Sequence, residues 1–235
     1  MNEIIEIILF SSIAGFPIII GGLLSSIFQT NKWKLKSEIN HFIIAFGGGA
    51  LLSAIAFALI PRALNDLNDP VLIVIFLAGT FAFMTIDIII GKSKGSLAQA
   101  ISMMMDFIPE ALALGASFAV DHKFGLLLAL FIGLQNLPEG FNSYIELQKN
   151  LSKQKTLWIM FGLSFVGIAA ALTGKILLSD SPKIISGILL FASGGILYLI
   201  FQDIAPLSKR RNDWIPATGA SFGFLLGMLA EKLIG

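Results

Sequence analysis

The sequence contains no cysteine and has few charged residues. The lack of cysteine excludes disulfide bonds and metal sites built from thiolates. Only 13% of the 235 residues are charged, whereas soluble domains have about 25%. Hydrophobic residues make up 56% of the chain, and its mean hydropathy is +0.86. This composition excludes a soluble domain and predicts an integral membrane protein, and the net charge of +1 gives no indication of a nucleic-acid partner.

Long apolar runs predict eight transmembrane helices, because a helix needs about 20 apolar residues to cross the hydrocarbon core. The predicted spans are residues 4–29, 41–64, 70–91, 98–120, 124–147, 157–178, 183–206 and 214–234. The loops between them are short and leave no room for a soluble domain. We therefore expect residues 1–235 to form a single transmembrane domain of the all-α class.

The basic residues predict how the chain is oriented, because loops rich in lysine and arginine stay in the cytoplasm. The odd-numbered loops hold eleven of the sixteen basic residues: Lys32, Lys34, Lys36, Lys92, Lys94, Lys149, Lys153, Lys155, Lys209, Arg210 and Arg211. The even-numbered loops are acidic or mixed. With eight spans, both termini are then extracytoplasmic, as expected for a multi-pass protein of the cell membrane.

The second and seventh spans carry the same pattern and run in opposite directions. Phe46 to Pro61 aligns without gaps on Phe191 to Pro206, including the glycines near the start. The fourth and fifth spans form a second related pair. Such a pattern predicts inverted repeats of three, two and three helices, with a binding site near the membrane midplane. The alternative is that glycine-rich helices ending in proline look alike by chance.

Two similar motifs lie in the fourth and fifth spans. Asp106 precedes Glu110 by four residues, Gln135 precedes Glu139 by four, and a proline stands before each glutamate. Residues four apart share a helix face, and the prolines free backbone carbonyls. A charge inside the membrane costs about 2.5–3.5 kcal/mol and by default marks a functional site. We therefore predict a divalent cation among these oxygens; the donors suit Mn²⁺ or Fe²⁺, and Zn²⁺ also accepts carboxylates. The alternative is a set of protonated carboxyls that hydrogen-bond to neighbouring helices.

Several other polar residues have simpler interpretations. His41 and His122 lie at span ends and are expected to be interfacial residues, not ligands. Asp87 is expected to pair at its helix end with Lys92 or Lys94. Asp203 is either part of a polar relay and exit site or a residue that makes a scaffold hydrogen bond.

The motif of the fifth span, Gln135 to Gly140, resembles that of the ZIP (ZRT/IRT-like) family of divalent metal transporters, most closely its prokaryotic GufA-like branch. The fourth span keeps Pro109 and Glu110 but has Asp106 where the family has histidine and Phe107 where it has asparagine. The resemblance implies an all-α fold of eight helices with inverted repeats. The metal ligands that it implies are Asp106, Glu110, Gln135 and Glu139, with Asn136 close by.

The resemblance also implies that this chain has one metal site. Family members with two metals use the asparagine of the fourth span and a glutamate of the sixth, where this chain has Phe107 and the Gly167 to Ala171 stretch. A second site is therefore expected to be lost. The family further implies an elevator-like movement of the first, fourth, fifth and sixth helices against the other four.

The expected function is transport of a divalent transition metal into the cytoplasm through this midplane site. The family favours zinc, and manganese, iron(II), cobalt or cadmium are other candidates. We expect a metal substrate and a lipid bilayer as partners, no catalytic cofactor and no enzyme activity; a homodimer is compatible with the resemblance. The alternatives are a metal sensor or scaffold without transport, a carrier of another substrate, and an intramembrane enzyme that uses acids. The enzyme is disfavoured because Asp106 is the only aspartate in the motif pair.

Overall fold

The computed structural model describes residues 2–30, 36–93, 98–118, 121–210 and 213–235. In these ranges the regular structure is helical throughout, and eight helices are long and apolar enough to cross a membrane. They are α1 (Glu3–Gly15 and Pro17–Thr30), α2 (Lys36–Ala54, Ile55–Leu59 and Ile60–Asp66), α3 (Asp69–Ser93), α4 (Ala98–Ser117), α5 (His122–Leu147), α6 (Lys153–Ser164 and Val166–Leu178), α7 (Pro182–Leu199, Ile200–Ile204 and Ala205–Ser208) and α8 (Ile215–Ile234). The predicted class, an all-α multi-pass membrane protein, is confirmed.

The helix ends differ from the predicted spans by a few residues. Helix α2 begins at Lys36, ahead of residue 41, because helices continue through polar residues that hydropathy excludes. Helix α5 begins at His122, since the side chain of Asp121 caps it by accepting a hydrogen bond from the N–H of Phe124 at 3.1 Å. Part of the orientation prediction depended on Lys32, Lys34, Lys94 and Arg211, which lie outside the described residues.

Helices α2 and α7 each contain one π-helical turn. The turns span Ile55–Leu59 and Ile200–Ile204, and each is followed within two residues by a proline, Pro61 or Pro206. Proline lacks an N–H and its ring clashes with the carbonyl four residues earlier. A wider turn accommodates both effects while the helix continues.

The helices fall into two groups by their packing. Helix α5 packs against α1, while α6 packs against both α1 and α4, and α4 also contacts α5. In the second group α2 packs against α8, α3 against α7, and α7 against the end of α2. The groups meet where α5 contacts α2 and α8 and where α4 contacts α7. Helices α4 and α5 therefore lie at the centre of the molecule.

The outer surface is apolar, as a lipid-facing surface requires. In the most apolar stretch of α3 only 11% of the residues are buried, and in α8 only 17%, against 61% in α4 and 67% in α5. Side chains such as Ile73, Val74 and Leu233 are largely exposed. The polar motifs thus lie on the two interior helices.

Candidate metal site

The two predicted motifs meet at the contact between α4 and α5. The amide nitrogen Nε2 of Gln135 donates a hydrogen bond to Oε2 of Glu110, with 2.5 Å between the two atoms. Both side chains are fully buried. Both helices continue through their internal prolines, Pro109 and Pro138. One ligand candidate from each helix is therefore in direct contact with a candidate from the other.

Three buried oxygens at this contact have no hydrogen-bond partner among the described residues. They are Oε1 of Glu110, Oε1 of Gln135 and Oε2 of Glu139. A buried polar atom without a partner costs about 1–3 kcal/mol, so native proteins rarely keep several in one place without a ligand. These oxygens are free to bind a cation, and the set is chemically suited to a divalent transition metal.

Asp106 completes the group on one side. It is buried, and its Oδ1 accepts a hydrogen bond from the N–H of Phe107 at 2.8 Å. The carboxylates of Asp106, Glu110 and Glu139 lie within electrostatic range of one another. A cation bound beside these carboxyl groups would offset the negative charge that they carry when deprotonated.

The carboxylates alone do not form a complete cage. Among the described residues, no three His, Cys, Asp or Glu side chains lie close enough together to hold a metal ion. The amide oxygen of Gln135, which has no hydrogen-bond partner among the described residues, is an additional candidate donor beside these carboxylates.

A small cavity of about 30 Å³ reaches Asp106 and Glu139 from one side. It lies between α2, α4, α5 and α7, and its other polar lining residues are Ser102, Asn142 and Asp203. All three lie toward the helix ends that join the odd-numbered loops. Sequence reasoning missed Ser102 and Asn142, although they stand four residues before Asp106 and three after Glu139, on the same helix faces.

Asp203 comes to this cavity from the π-helical turn of α7. The sequence allows either a polar relay or a scaffold hydrogen bond for this residue, and the structure places it on the wall of the same cavity as Asp106 and Glu139. Its neighbour Gln202 instead lines a pocket on the outer surface, together with Tyr198 and Phe201.

Asn136, the fifth candidate, makes a hydrogen bond to α1. Its amide Nδ2 donates a hydrogen bond to the backbone carbonyl of Ala14 in α1, at 2.8 Å. The side chain thereby joins α5 to α1, although its Oδ1 has no partner among the described residues. Its position one residue after Gln135 turns it about 100° around the helix, which explains why it faces α1.

Phe107 of α4 and Gly167 of α6 lie where the resemblance would place ligands of a second metal, and they pack against each other. The ring of Phe107 is fully buried beside Gly167 of α6. A Cβ atom at residue 167 would lie only 2.3 Å from Cζ of Phe107. The aromatic ring therefore fills the space that a longer side chain at residue 167 of α6 would need.

The helix ends next to the even-numbered loops are tied together by ion pairs. Arg62 of α2 lies 3.5 Å from Asp66, through Nε, and its Nη1 lies 3.4 Å from Oδ2 of Asp121, just before α5. Its guanidinium also lies over the ring of Phe124, 5.2 Å from the centroid. The pair of Arg62 and Asp121 thus connects the two helix groups at the end opposite the cavity.

The remaining predictions concern residues away from the site. His122 is the first residue of α5, and its Nε2 lies 3.3 Å from a carboxylate oxygen of Glu6 in α1, apart from the candidate ligands. Oδ2 of Asp87 accepts a hydrogen bond from the hydroxyl of Tyr198 in α7, at 2.9 Å, and its predicted pairing with Lys92 or Lys94 cannot be compared with the structure. The side chains of Lys92 and Lys94 lie outside the described residues. The hydrogen bond is possible because α3 packs along α7, which the sequence does not reveal.

The fold and the buried polar cluster define a multi-pass membrane protein with a candidate cation site between its two central helices. The chain is 32% identical over 147 residues to the zinc transporter GufA of Myxococcus xanthus, an alignment that covers 61% of this chain and 58% of that protein. It is 24% identical over 226 residues to the zinc transporter ZIP13 of Pongo abelii, covering 84% of this chain and 66% of the relative. To ZIP13 of Gallus gallus it is 28% identical over 116 residues, covering 47% and 31%.

These relatives confirm the predicted resemblance to the ZIP family and to its GufA-like branch. The chain spans less than two thirds of the length of each of them. A comparison with models of known protein families gave no match. All three relatives are named as transporters, in agreement with the prediction that this chain is not an enzyme.

Proposed function

We propose that this protein carries a divalent transition metal ion across the membrane, through a single site between α4 and α5. The observation that carries the proposal is the set of buried, unpartnered oxygens of Glu110, Gln135 and Glu139 at the contact of the two helices. Zinc is the first candidate because the relatives are named zinc transporters. Manganese, iron(II), cobalt and cadmium follow, since an all-oxygen set also suits harder ions.

In this proposal the metal is the transported substrate, and each candidate ligand has a distinct role. Glu110 and Glu139 supply most of the compensating charge, Gln135 supplies a neutral oxygen, and Asp106 adds a carboxylate next to the cavity. Asn136 holds α1 against the site through its hydrogen bond to Ala14. Because carboxylates bind metals in their deprotonated form, metal binding should release protons.

The proposed direction is from the outside into the cytoplasm. The odd-numbered loops carry most of the basic residues and are therefore assigned to the cytoplasm, with both termini outside. The cavity that reaches Asp106 and Glu139 lies toward these loops. The ion pair of Arg62 and Asp121 lies at the opposite end. This arrangement supports a conformation in which the site is closed to the outside and the cavity beside it lies toward the cytoplasm.

Alternating exposure of the site would follow from movement of one helix group against the other, within one transporter domain. An inverted repeat supports this proposal, since the π-helical turns of α2 and α7 occupy aligned positions. The close contacts also correspond. A Cβ at Gly49 would lie 1.9 Å from the carbonyl oxygen of Ala220, and a Cβ at the aligned Gly194 would lie 2.1 Å from that of Phe76. Each repeat thus packs its glycine-bearing helix against the last helix of the other.

The proposal is tested by reconstituting the full chain into liposomes and measuring entry of Zn²⁺, Mn²⁺, Fe²⁺, Co²⁺ and Cd²⁺. We expect saturable flux of at least one ion, and its loss in the double variant Glu110→Ala/Glu139→Ala. Empty liposomes measure leakage, and size-exclusion profiles of both proteins establish that the variant is folded. Metal binding without flux would instead support a metal sensor or scaffold, and neither binding nor flux for any of the five ions would support another substrate.

The ion pair of Arg62 and Asp121 allows a test of how the outer end is closed. Leu128 lies one turn further into α5 than Phe124 and is fully buried. Because the sequence contains no cysteine, Leu128→Cys introduces a single thiol that a reagent can label. Adding Arg62→Gln should increase labelling of this cysteine by a membrane-impermeant thiol reagent about two- to fivefold, the effect of losing a partly exposed ion pair. The measurement is made on intact cells.

The matched control is Lys175→Gln. Lys175 pairs with Glu3 at the same end of the molecule, but this ion pair joins α6 to α1 within one helix group. Its loss should leave the labelling rate of Leu128→Cys unchanged. Equal labelling rates in the Arg62→Gln and Lys175→Gln backgrounds would show that the pair of Arg62 and Asp121 does not close the outer end.

A further inference from the structure

Three consecutive methionines, Met103, Met104 and Met105, precede the motif of α4 and have no role in the proposed function so far. Successive residues of a helix are turned by about 100°, so the three side chains leave the helix in different directions. Of these three described residues, Met103 lines the small cavity that also reaches Asp106 and Glu139, whereas the other two do not. Met103 therefore stands beside the candidate ligands and is buried with them.

The sulfur of Met103 lies at the contact between α4 and α5. The hydroxyl of Ser143, which is fully buried on α5, donates a hydrogen bond to Sδ of Met103 at 3.9 Å. Met103 stands three residues before Asp106, and Ser143 stands four residues after Glu139, so each shares a helix face with a candidate ligand. Both steps lead toward the odd-numbered loops, as the cavity does. The sulfur is therefore about one helical turn from the carboxylates, on the side where the cavity lies.

The hydrogen bond from Ser143 fixes the direction of the thioether. Other buried serines of this chain, such as Ser11 and Ser164, donate to the backbone carbonyl four residues earlier in their own helix. Ser143 instead donates across the helix contact to a sulfur, which is a weak acceptor. A methionine side chain is flexible, and this bond holds its sulfur in one place. One lone pair of the sulfur accepts the hydroxyl, and the second is left to bind an ion.

We propose that Met103 supplies a thioether ligand to the ion on the cavity side of the site, and that it thereby selects the softer dications, zinc and cadmium. This inference rests on the proposed function, because it adds a donor to the same transported ion. Carboxylate and amide oxygens also accept manganese and iron(II), whereas thioether sulfur favours soft ions. One sulfur beside the oxygens thus sets a preference among metals that the oxygens alone leave open.

The first test measures metal binding to the purified full chain in detergent, by equilibrium dialysis with Cd²⁺ and Mn²⁺ in competition. Met103→Leu nearly preserves the volume of the side chain but removes the donor atom. We expect the ratio of cadmium to manganese affinity to fall about tenfold, the order of loss when a group that supports a metal site is removed. The affinity for Mn²⁺ alone should change little. The matched control is Met104→Leu, the same change one residue further along α4 and away from the cavity, which should keep the wild-type ratio.

X-ray absorption at the cadmium edge identifies the ligand directly. Because the chain has no cysteine, any sulfur neighbour of bound Cd²⁺ in a thiol-free buffer comes from a methionine. The wild type should show such a neighbour, Met103→Leu should lose it, and Met104→Leu should keep it. The measurement on the wild type needs no substitution, so it decides the question even if a variant does not fold.

The outcomes separate this inference from the proposed function. Bound cadmium without a sulfur neighbour, or an unchanged affinity ratio in Met103→Leu, would overturn the role of Met103 and leave the oxygen site in place. Equal loss of the sulfur neighbour in Met103→Leu and Met104→Leu would also overturn it, because the effect would not be specific to the cavity. Wild-type protein that binds neither Cd²⁺ nor Mn²⁺ would contradict the proposed function, and this inference with it.

Discussion

Proteoliposomes that contain Glu110→Gln are expected to take up metal at no more than about a tenth of the wild-type rate, since an uncompensated buried charge costs about 3–5 kcal/mol. Glutamine has nearly the same shape as glutamate, so the packing of this fully buried side chain is preserved. The substitution removes one negative charge from the carboxylates that would neutralise a dication. It also changes the partner of Gln135, whose Nε2 donates a hydrogen bond to Oε2 of Glu110. The new glutamine amide would place either its oxygen, which can accept this bond, or its NH2 group, which cannot, next to that donor.

The control for this result is Glu146→Gln on α5. Glu146 lies at the loop end of that helix, where its Oε2 pairs with Nζ of Lys149 at 2.7 Å, and exposed pairs of this kind contribute little. Its flux should match the wild type. The comparison requires equal amounts of reconstituted protein, determined by quantitative gel electrophoresis. Wild-type flux in Glu110→Gln under these conditions would exclude Glu110 as a metal ligand.

Replacing Gly115 by alanine is expected to destabilise the whole first helix group. Gly115 of α4 lies against α6, and a Cβ at this position would be 1.8 Å from the backbone carbonyl oxygen of Ala171. The obstructing atom belongs to the backbone, so it can move only if α4 and α6 separate. Overpacking of this kind costs about 1–3 kcal/mol and more where the backbone must shift. The melting temperature in detergent should fall, and less monodisperse protein should be recovered.

Gly162 provides the matched control for Gly115. It also lies in a helix, but apart from its chain neighbours and the nearby backbone of its own helix, no atom of the described residues lies within 4 Å of the position that its Cβ would occupy. Gly162→Ala should therefore keep or slightly raise the melting temperature, since alanine favours a helix by about 1 kcal/mol over glycine. If both variants melt at the wild-type temperature, close packing of α4 on α6 is not what stabilises this group.

Much of the fold was predictable because hydropathy depends on local composition. Eight apolar runs predicted eight helices. The π-helical turns before Pro61 and Pro206 were not predicted, since only Pro109 and Pro138 were expected to disturb their helices. Helix ends were less predictable, because polar residues can continue a helix past the hydrocarbon, as at Lys36 of α2. Packing partners were not predictable at all. The hydrogen bond from Tyr198 to Asp87 depends on how α3 lies along α7, which no local pattern in the sequence encodes.

In the candidate site, too, features within one helix were predictable, whereas contacts between helices were not. A spacing of four residues predicted that Asp106 shares a helix face with Glu110 and that Gln135 shares one with Glu139. The hydrogen bond between Gln135 and Glu110 arises instead from the packing of α4 on α5. The motif placed Asn136 next to the ligands, and the hydrogen bond of its Nδ2 to Ala14 of α1 could not be predicted from the motif. The cavity-lining position of Asp203 depends on the approach of α7 to α4 and α5. Periodicity within a helix can be read from sequence, whereas the side chains that one helix presents to another cannot.

The contact between Phe107 and Gly167 also constrains how this chain could change over time. A glutamate at residue 167 alone would collide with the aromatic ring, whose Cζ lies 2.3 Å from the required Cβ position. An asparagine at residue 107 alone would leave a hole where a fully buried ring now packs. Each single substitution toward a two-metal centre is therefore expected to lower the stability of the fold. Only a simultaneous change at both positions would keep this contact between α4 and α6 filled without a collision.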